Sequence, residues 1–129
     1  MVLDTSALLA LLLDEPEAEE FHGEVEEDTT RLVSAATLLE TALVIEARKG
    51  EPGGRELDLL IHKAGIVVVA VDAEHVSEAR RAYRRFGRGH HAGGLNFGDV
   101  FAYALARTSG EPLLFKGDDF ARTDIGRVV

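Results

Sequence analysis

The sequence predicts an α/β fold, a sandwich of helices around a mostly parallel sheet. Short apolar runs, Met1–Asp4 (ending in its acid), Ile66–Val71 and Leu113–Phe115, have the length and content of buried strands. Between them lie longer stretches with helical periodicity, bounded by capping residues, glycines and prolines. Strands that alternate with helices form βαβ units, in which neighbouring strands run parallel.

Each element has its own signal. Met1–Asp4 suits a buried strand near the first residue. Thr5-Ser6 can cap a helix over Ala7–Leu13, and Pro16 suits the first turn of a second helix through the acidic segment that follows. Leu32-Val33 is a brief apolar stretch, after which Ser34 caps a helix to about Arg48, stopped by Gly50, Pro52 and Gly53. Arg55–Ala64 is helical in pattern and ends at Gly65. Ile66–Val71, β-branched except for Ala70, is the clearest strand. Asp72 caps a helix through Arg85, which leads into a glycine- and histidine-rich loop, Gly87–Gly94. Asn96 caps a helix to about Arg107, ended by Gly110 and Pro112. Leu113–Phe115 is a strand, Gly117-Asp118-Asp119 a turn, and Val128-Val129 a short final strand. No repeat, low-complexity tract or linker divides the chain, so residues 1–129 are expected to form a single domain.

The bulk composition narrows the function. A chain of 129 residues with 46% hydrophobic and 29% charged content is that of a soluble globular protein able to bury a core. The lack of cysteine excludes disulfides and thiolate metal centres. The longest apolar run, Ala7–Leu13, is too short to span a bilayer and lacks the flanks of a signal peptide, so a cytoplasmic protein with no membrane partner is expected. A net charge of −9 would argue against nucleic acid if it were evenly spread. It is not: Asp14–Asp28 holds nine acids and no Lys or Arg, and the 14 acids that remain of the 23 balance 14 bases. That segment reads as a solvated helix face or as a docking surface for a basic partner.

Several acids sit where structure alone does not call for them. Glu40 has Ala36, Thr37, Leu43 and Val44 as its helical neighbours, none of them a base, so no intrahelical ion pair answers it. Asp99 stands three residues after Asn96, where an acid closes a capping box and meets the positive end of the helix. Its helix is apolar nearly all round, which marks a buried helix and places Asp99 at a crevice. Asp4 and Asp118-Asp119 each follow a strand, at the carboxyl edge where α/β sheets gather functional groups. Each could be a turn residue on its own; together they form a pattern. Crowded carboxylates repel one another unless a cation neutralises them, and oxygen-only ligands favour Mg²⁺ or Mn²⁺. Phosphodiester hydrolysis is the reaction such an ion supports. The five histidines have no zinc spacing, and His90-His91 are adjacent in a loop.

With these residues in view, the chain resembles the PIN-domain family, and within it the VapC-type toxins of toxin–antitoxin pairs. The likeness rests on MVLDTSALLALLLDEPEAEEF, SAATLLETALVIEARKGEPG, LNFGDVFAYALA and LLFKGDDFARTDI, which follow the family's order and cover nearly the whole chain. The resemblance implies a three-layer α/β/α sandwich, a Mg²⁺- or Mn²⁺-dependent endoribonuclease, a homodimer and inhibition by a VapB-like antitoxin. Asp4 and Asp99 match the metal-binding acids, and Glu40 the helical glutamate that completes the site. For the fourth acid, Asp118 and Asp119 both remain candidates, with Asp119 the more regular match. Thr5 and Ser6 match hydroxyl positions beside the first acid, and Asn96 a polar position near the second.

The stretch RRAYRRFGRGHH holds Arg80, Arg81, Arg84, Arg85 and Arg88 with Tyr83 and Phe86, just before the Asn96 helix. Arginines interleaved with aromatics can follow a phosphate backbone and stack on unpaired bases, or can pair with the acidic segment. The apolar surface from Ala36 to Ile45 could receive a partner helix. Two other functions compete. One is an inactive RNA-binding module of the same fold. The other is a receiver-like Mg²⁺-binding regulatory domain, to which Lys116 would supply the lysine.

Overall fold

Apolar side chains that alternate between two faces shape the sheet. The computed structural model describes residues 1–89 and 94–129. The element order is β1 (Val2–Leu3), α1 (Thr5–Leu12), α2 (Ala18–Glu27), β2 (Leu32–Ser34), α3 (Ala35–Lys49), α4 (Glu51–Lys63), β3 (Val67–Val69), α5 (Ala73–Phe86), α6 (Asp99–Ser109) and β4 (Leu113–Leu114). The four strands form one sheet in the order β3-β2-β1-β4, and every pairing is parallel. Val2 and Leu113 enter one core with Val100, Tyr103 and Leu105 of α6 and Ala79 and Ala82 of α5. Their neighbours Leu3 and Leu114 enter the other, with Leu8 and Leu11 of α1 and Phe21 and Val25 of α2. The period of two along each strand thus feeds two separate cores. The sheet is the middle layer of an α/β/α sandwich.

The boundaries differ from the sequence reading for local reasons. α1 starts at Thr5 because Asp4, in extended conformation, is its cap and accepts from Ser6 N. Thr5 and Ser6 are therefore inside the helix and do not cap it. Pro16 lies in the turn before α2, which begins at Ala18. Gly50, at φ 68°, ends α3, but Pro52 and Gly53 do not lie beyond a helix; they form the first turn of α4, where the missing proline N–H has no partner to lose. β3 is shorter than Ile66–Val71 and lies at the sheet edge, with Val67 57% and Val68 44% exposed. A β-branched run suits a pleated backbone at an edge as well as in a centre. Instead of a strand at Val128-Val129, a single parallel bridge joins Arg127 to Leu113. The His90-His91 pair lies outside the described residues.

Gly53 shows how tightly α3 and α4 pack. A Cβ there would stand 2.8 Å from the Ile45 carbonyl oxygen and 3.0 Å from Lys49 Cβ. Backbone cannot yield as a side chain does. Gly53→Ala is expected to destabilise the fold by about 1–2 kcal/mol despite alanine's better helix propensity. Urea unfolding checks this, and an unchanged or raised midpoint contradicts it.

Candidate active site

The order β3-β2-β1-β4 makes β1 and β4 neighbours at the point where connections leave the sheet in opposite directions. Such a switch point opens a crevice beyond the carboxyl ends of its strands. Asp4 follows β1, and the segment Lys116–Asp119 follows β4. α3, capped by Ser34 at the end of β2, carries Glu40, and the amino end of α6 carries Asp99.

Asp4 is 3% exposed. Its Oδ2 accepts from Ser6 N at 3.0 Å and from Ser6 Oγ at 2.7 Å, and Ser6 Oγ accepts from Lys116 N at 2.9 Å. One serine thus ties the first acid to the loop that follows β4. Asp4 Oδ1 is buried and has no hydrogen-bond partner. Burial, reinforced by the charge of Glu40 and opposed by the Ser6 bonds, pushes the carboxyl up to about 6. An oxygen without a donor in such a place suits a cation ligand.

Thr5, the residue before Ser6, serves the other carboxylate. Its hydroxyl donates to Glu40 Oε1. Thr41, whose hydroxyl donates to the Thr37 carbonyl at 2.9 Å, lies 3.2 Å from Thr5 Oγ1 and backs that contact. The two hydroxyls expected beside the first acid are therefore divided, Ser6 to Asp4 and Thr5 to Glu40.

Asp99 and Asn96 form the reciprocal pair of a capping box. Asp99 N donates to Asn96 Oδ1 at 3.0 Å, and Asn96 N donates to Asp99 Oδ2 at 2.9 Å. Asp99 is buried at the start of α6, most of whose residues are buried. Burial and then the charges of Asp4, Asp119 and Glu40 push it up to about 7, against the pull of the Asn96 bond. Asp119, in the exposed turn after β4, adds its charge to that shift. Among the described residues, no three Asp, Glu, His or Cys side chains form a ready-made metal cage. Mg²⁺ is ordinarily held by one or two carboxylates and its own waters, so the Asp4–Asp99 pair fits that ion better than zinc.

The PIN domain family profile matches residues 1–126. The chain belongs to the PIN-domain family. Ribonuclease VapC30 of Mycobacterium tuberculosis is 62% identical over 128 residues, covering 99% of this PIN domain and 98% of the relative. Ribonuclease VapC of Mycolicibacterium smegmatis is 59% identical, covering 99% of each chain. Among solved structures, M. tuberculosis VapC20, described as a sarcin-ricin loop cleaving toxin, aligns with a TM-score of 0.79 at 18% identity, covering 96% of this chain and 95% of that one. VapBC2 from Rickettsia felis, bound to a DNA fragment from its promoter, aligns with a TM-score of 0.76 at 15% identity, covering 98% and 94%. At these identities the structures speak to the fold.

The remaining candidates of this PIN domain separate into two groups. Arg81 pairs with Glu78 at 2.9 Å, and Arg85 with Asp124 at 3.3 Å, the same aspartate that accepts from Tyr103 OH. Arg81 is thus engaged within α5, and Arg85 ties α5 to the C-terminal segment. Arg80 and Arg84 instead line a groove of about 640 Å³ between α5 and α6, with Tyr83, Phe97 and Phe101, and Arg88 is exposed. Lys116 bridges Glu15 at 3.3 Å and Glu17 at 3.1 Å, so its ammonium is engaged by the acidic segment in place of serving a receiver-like site. Sequence reasoning missed Gly98 and Thr41. Glycine beside a capping box was the available sign for the first, and a hydroxyl one residue after Glu40 for the second.

Asp4 and Asp99 hold protons in the folded chain where the unfolded chain, at 3.8, has released them. That stabilisation is complete below the unfolded value and is lost as pH rises through 6 and 7. Without divalent metal, Tm is expected to fall between about pH 5 and about pH 8, and Asp99→Asn to be the more stable protein at the upper end. Thermal denaturation across that range checks it; a variant less stable than wild type at high pH contradicts it.

Proposed function

We propose that this chain is a divalent-metal-dependent endoribonuclease, residues 1–129 forming one PIN domain that hydrolyses RNA as the toxin of a toxin–antitoxin pair. The buried Asp4 carboxylate carries the reading, with one oxygen fixed by Ser6, the other without a donor, and Glu40 and Asp99 within electrostatic reach. Asp4 and Asp99 would hold Mg²⁺ or Mn²⁺. When bound, such an ion offsets the clustered negative charge and acts as a Lewis acid toward a phosphate oxygen. The side chains of the site do the positioning. Ser6 orients Asp4, Asn96 orients Asp99, and Thr5 holds Glu40 by Oε1. That leaves Glu40 Oε2 as the acceptor for a proton of the attacking water. Asp119 is the fourth acid in this reading, with Asp118 its exposed neighbour in the turn.

RNA would lie along the arginine-bearing face of α5. Arg80, Arg84 and Arg88 are the phosphate contacts, Arg81 and Arg85 reach the backbone only by leaving their acids, and Tyr83 and Phe97 offer faces for unpaired bases. The VapC names of the close relatives and the VapBC complexes of similar fold support a VapB-like antitoxin as partner. Leu39 and Leu43 on α3 and Leu59 on α4 are exposed, an apolar surface that an antitoxin helix or the second subunit of a homodimer can cover. Among the described residues no helix is long and apolar enough to cross a membrane, and the cytoplasm is the compartment that fits this reading.

Cleavage of RNA by wild type with Mn²⁺ or Mg²⁺, its loss in EDTA, and a loss of about 100-fold or more in Asp4→Asn and Asp99→Asn are the expected results. Gel analysis of end-labelled RNA, structured and unstructured, reads all three. Binding of RNA without cleavage by wild type would instead identify an inactive module of the same fold.

A further inference from the structure

Gly98 precedes α6 in ordinary right-handed helical geometry, φ −67° and ψ −40°. Alanine adopts that conformation more readily than glycine, so the backbone gives no reason for glycine here. The space around it does. A Cβ at position 98 would stand 2.6 Å from Glu40 Cδ, 2.8 Å from its Oε1, and closer still to its Oε2. The Glu40 carboxylate therefore fills the volume that any other residue at this position would need. It cannot simply turn aside without loss, because Oε1 is held by the Thr5 hydroxyl, which Thr41 backs.

We propose that Gly98 is a positioning residue, its missing side chain being the space that lets Glu40 stand beside Asp4 and Asp99, and that any larger residue expels Glu40 from the acidic site. The proposal rests on the functional reading above and adds to it the residue that fixes Glu40. It also separates two kinds of close-packed glycine in one chain. At Gly53 the nearest atom is a backbone carbonyl, and a Cβ strains the fold. At Gly98 the nearest atoms are the end of a flexible side chain, and a Cβ displaces chemistry while the fold survives.

The test compares wild type, Gly98→Ala, Glu40→Gln and the double variant, each as the full chain. Titration calorimetry with Mn²⁺ is expected to show Gly98→Ala weakened as much as Glu40→Gln, on the order of tenfold, with no further loss in the double variant. Tm of Gly98→Ala should equal or exceed that of wild type. If it falls, Glu40→Ala is added to relieve the collision; recovery supports the proposal, and no recovery overturns it. Wild-type Mn²⁺ affinity in Gly98→Ala, or losses that multiply in the double variant, also overturn it. A crystal structure of Gly98→Ala decides the point without metal: a broken Thr5–Glu40 hydrogen bond supports the proposal, and an intact one overturns it. Failure of wild type itself to bind Mn²⁺ would count against the functional reading, while that crystal structure still decides the role of Gly98.

Discussion

Burial of the Asp4 carboxylate constrains everything else at the switch point. Removing a carboxylate from water costs several kcal/mol unless donors or a cation replace its hydration. Ser6 replaces half of it, through its backbone N–H and its hydroxyl on Oδ2. The other oxygen, Oδ1, is buried with no hydrogen-bond partner. The chain could have ended β1 in a serine or asparagine and capped α1 at little cost. An acid at this point is understandable if a cation completes its hydration shell.

The surrounding elements follow from serving that one group. α1 starts at Thr5, so Ser6 meets Asp4 while Thr5 meets Glu40. The parallel pairing of β1 with β4 brings Lys116 N onto Ser6 Oγ and so places the Asp118–Asp119 turn near the same crevice. Lys116 then uses its side chain on Glu15 and Glu17, which fastens this loop to the connection between α1 and α2. The local acidity that dominates the net charge thus has a structural use at its N-terminal end. Asp124, braced by Tyr103, Arg85 and Arg107, holds the next part of the chain against α5 and α6.

Local spacing made part of this site legible in the sequence. The Asn96–Asp99 box depends on residues three apart, and its reciprocal hydrogen bonds are the ones the spacing implies. Asp4 at a strand end and Glu40 on a helix without a base were visible for the same reason. What depends on two surfaces meeting was not. The division of Thr5 and Ser6 between two acids, the fit of Gly98 against Glu40 and the Gly53 contact with Ile45 arise only when α1, α3, α4 and α6 pack. The turn acids could not be told apart either, since Gly117, at φ 95°, sets their direction. The parallel α/β architecture was readable, but the place of β3 was not, because valines favour an edge strand as they do a central one.

Burial lifts the Asp4 carboxyl to about 6 and the Asp99 carboxyl to about 7, so that both hold protons in part near pH 6. A cation that binds there must then displace protons. Calorimetric titration with Mn²⁺ near pH 6, repeated in buffers of different ionisation enthalpy, measures that displacement directly. With the two carboxyls at about 6 and about 7, net release on the order of one proton per ion is predicted, shrinking toward zero near pH 8. Binding with no proton release near pH 6 would contradict the account.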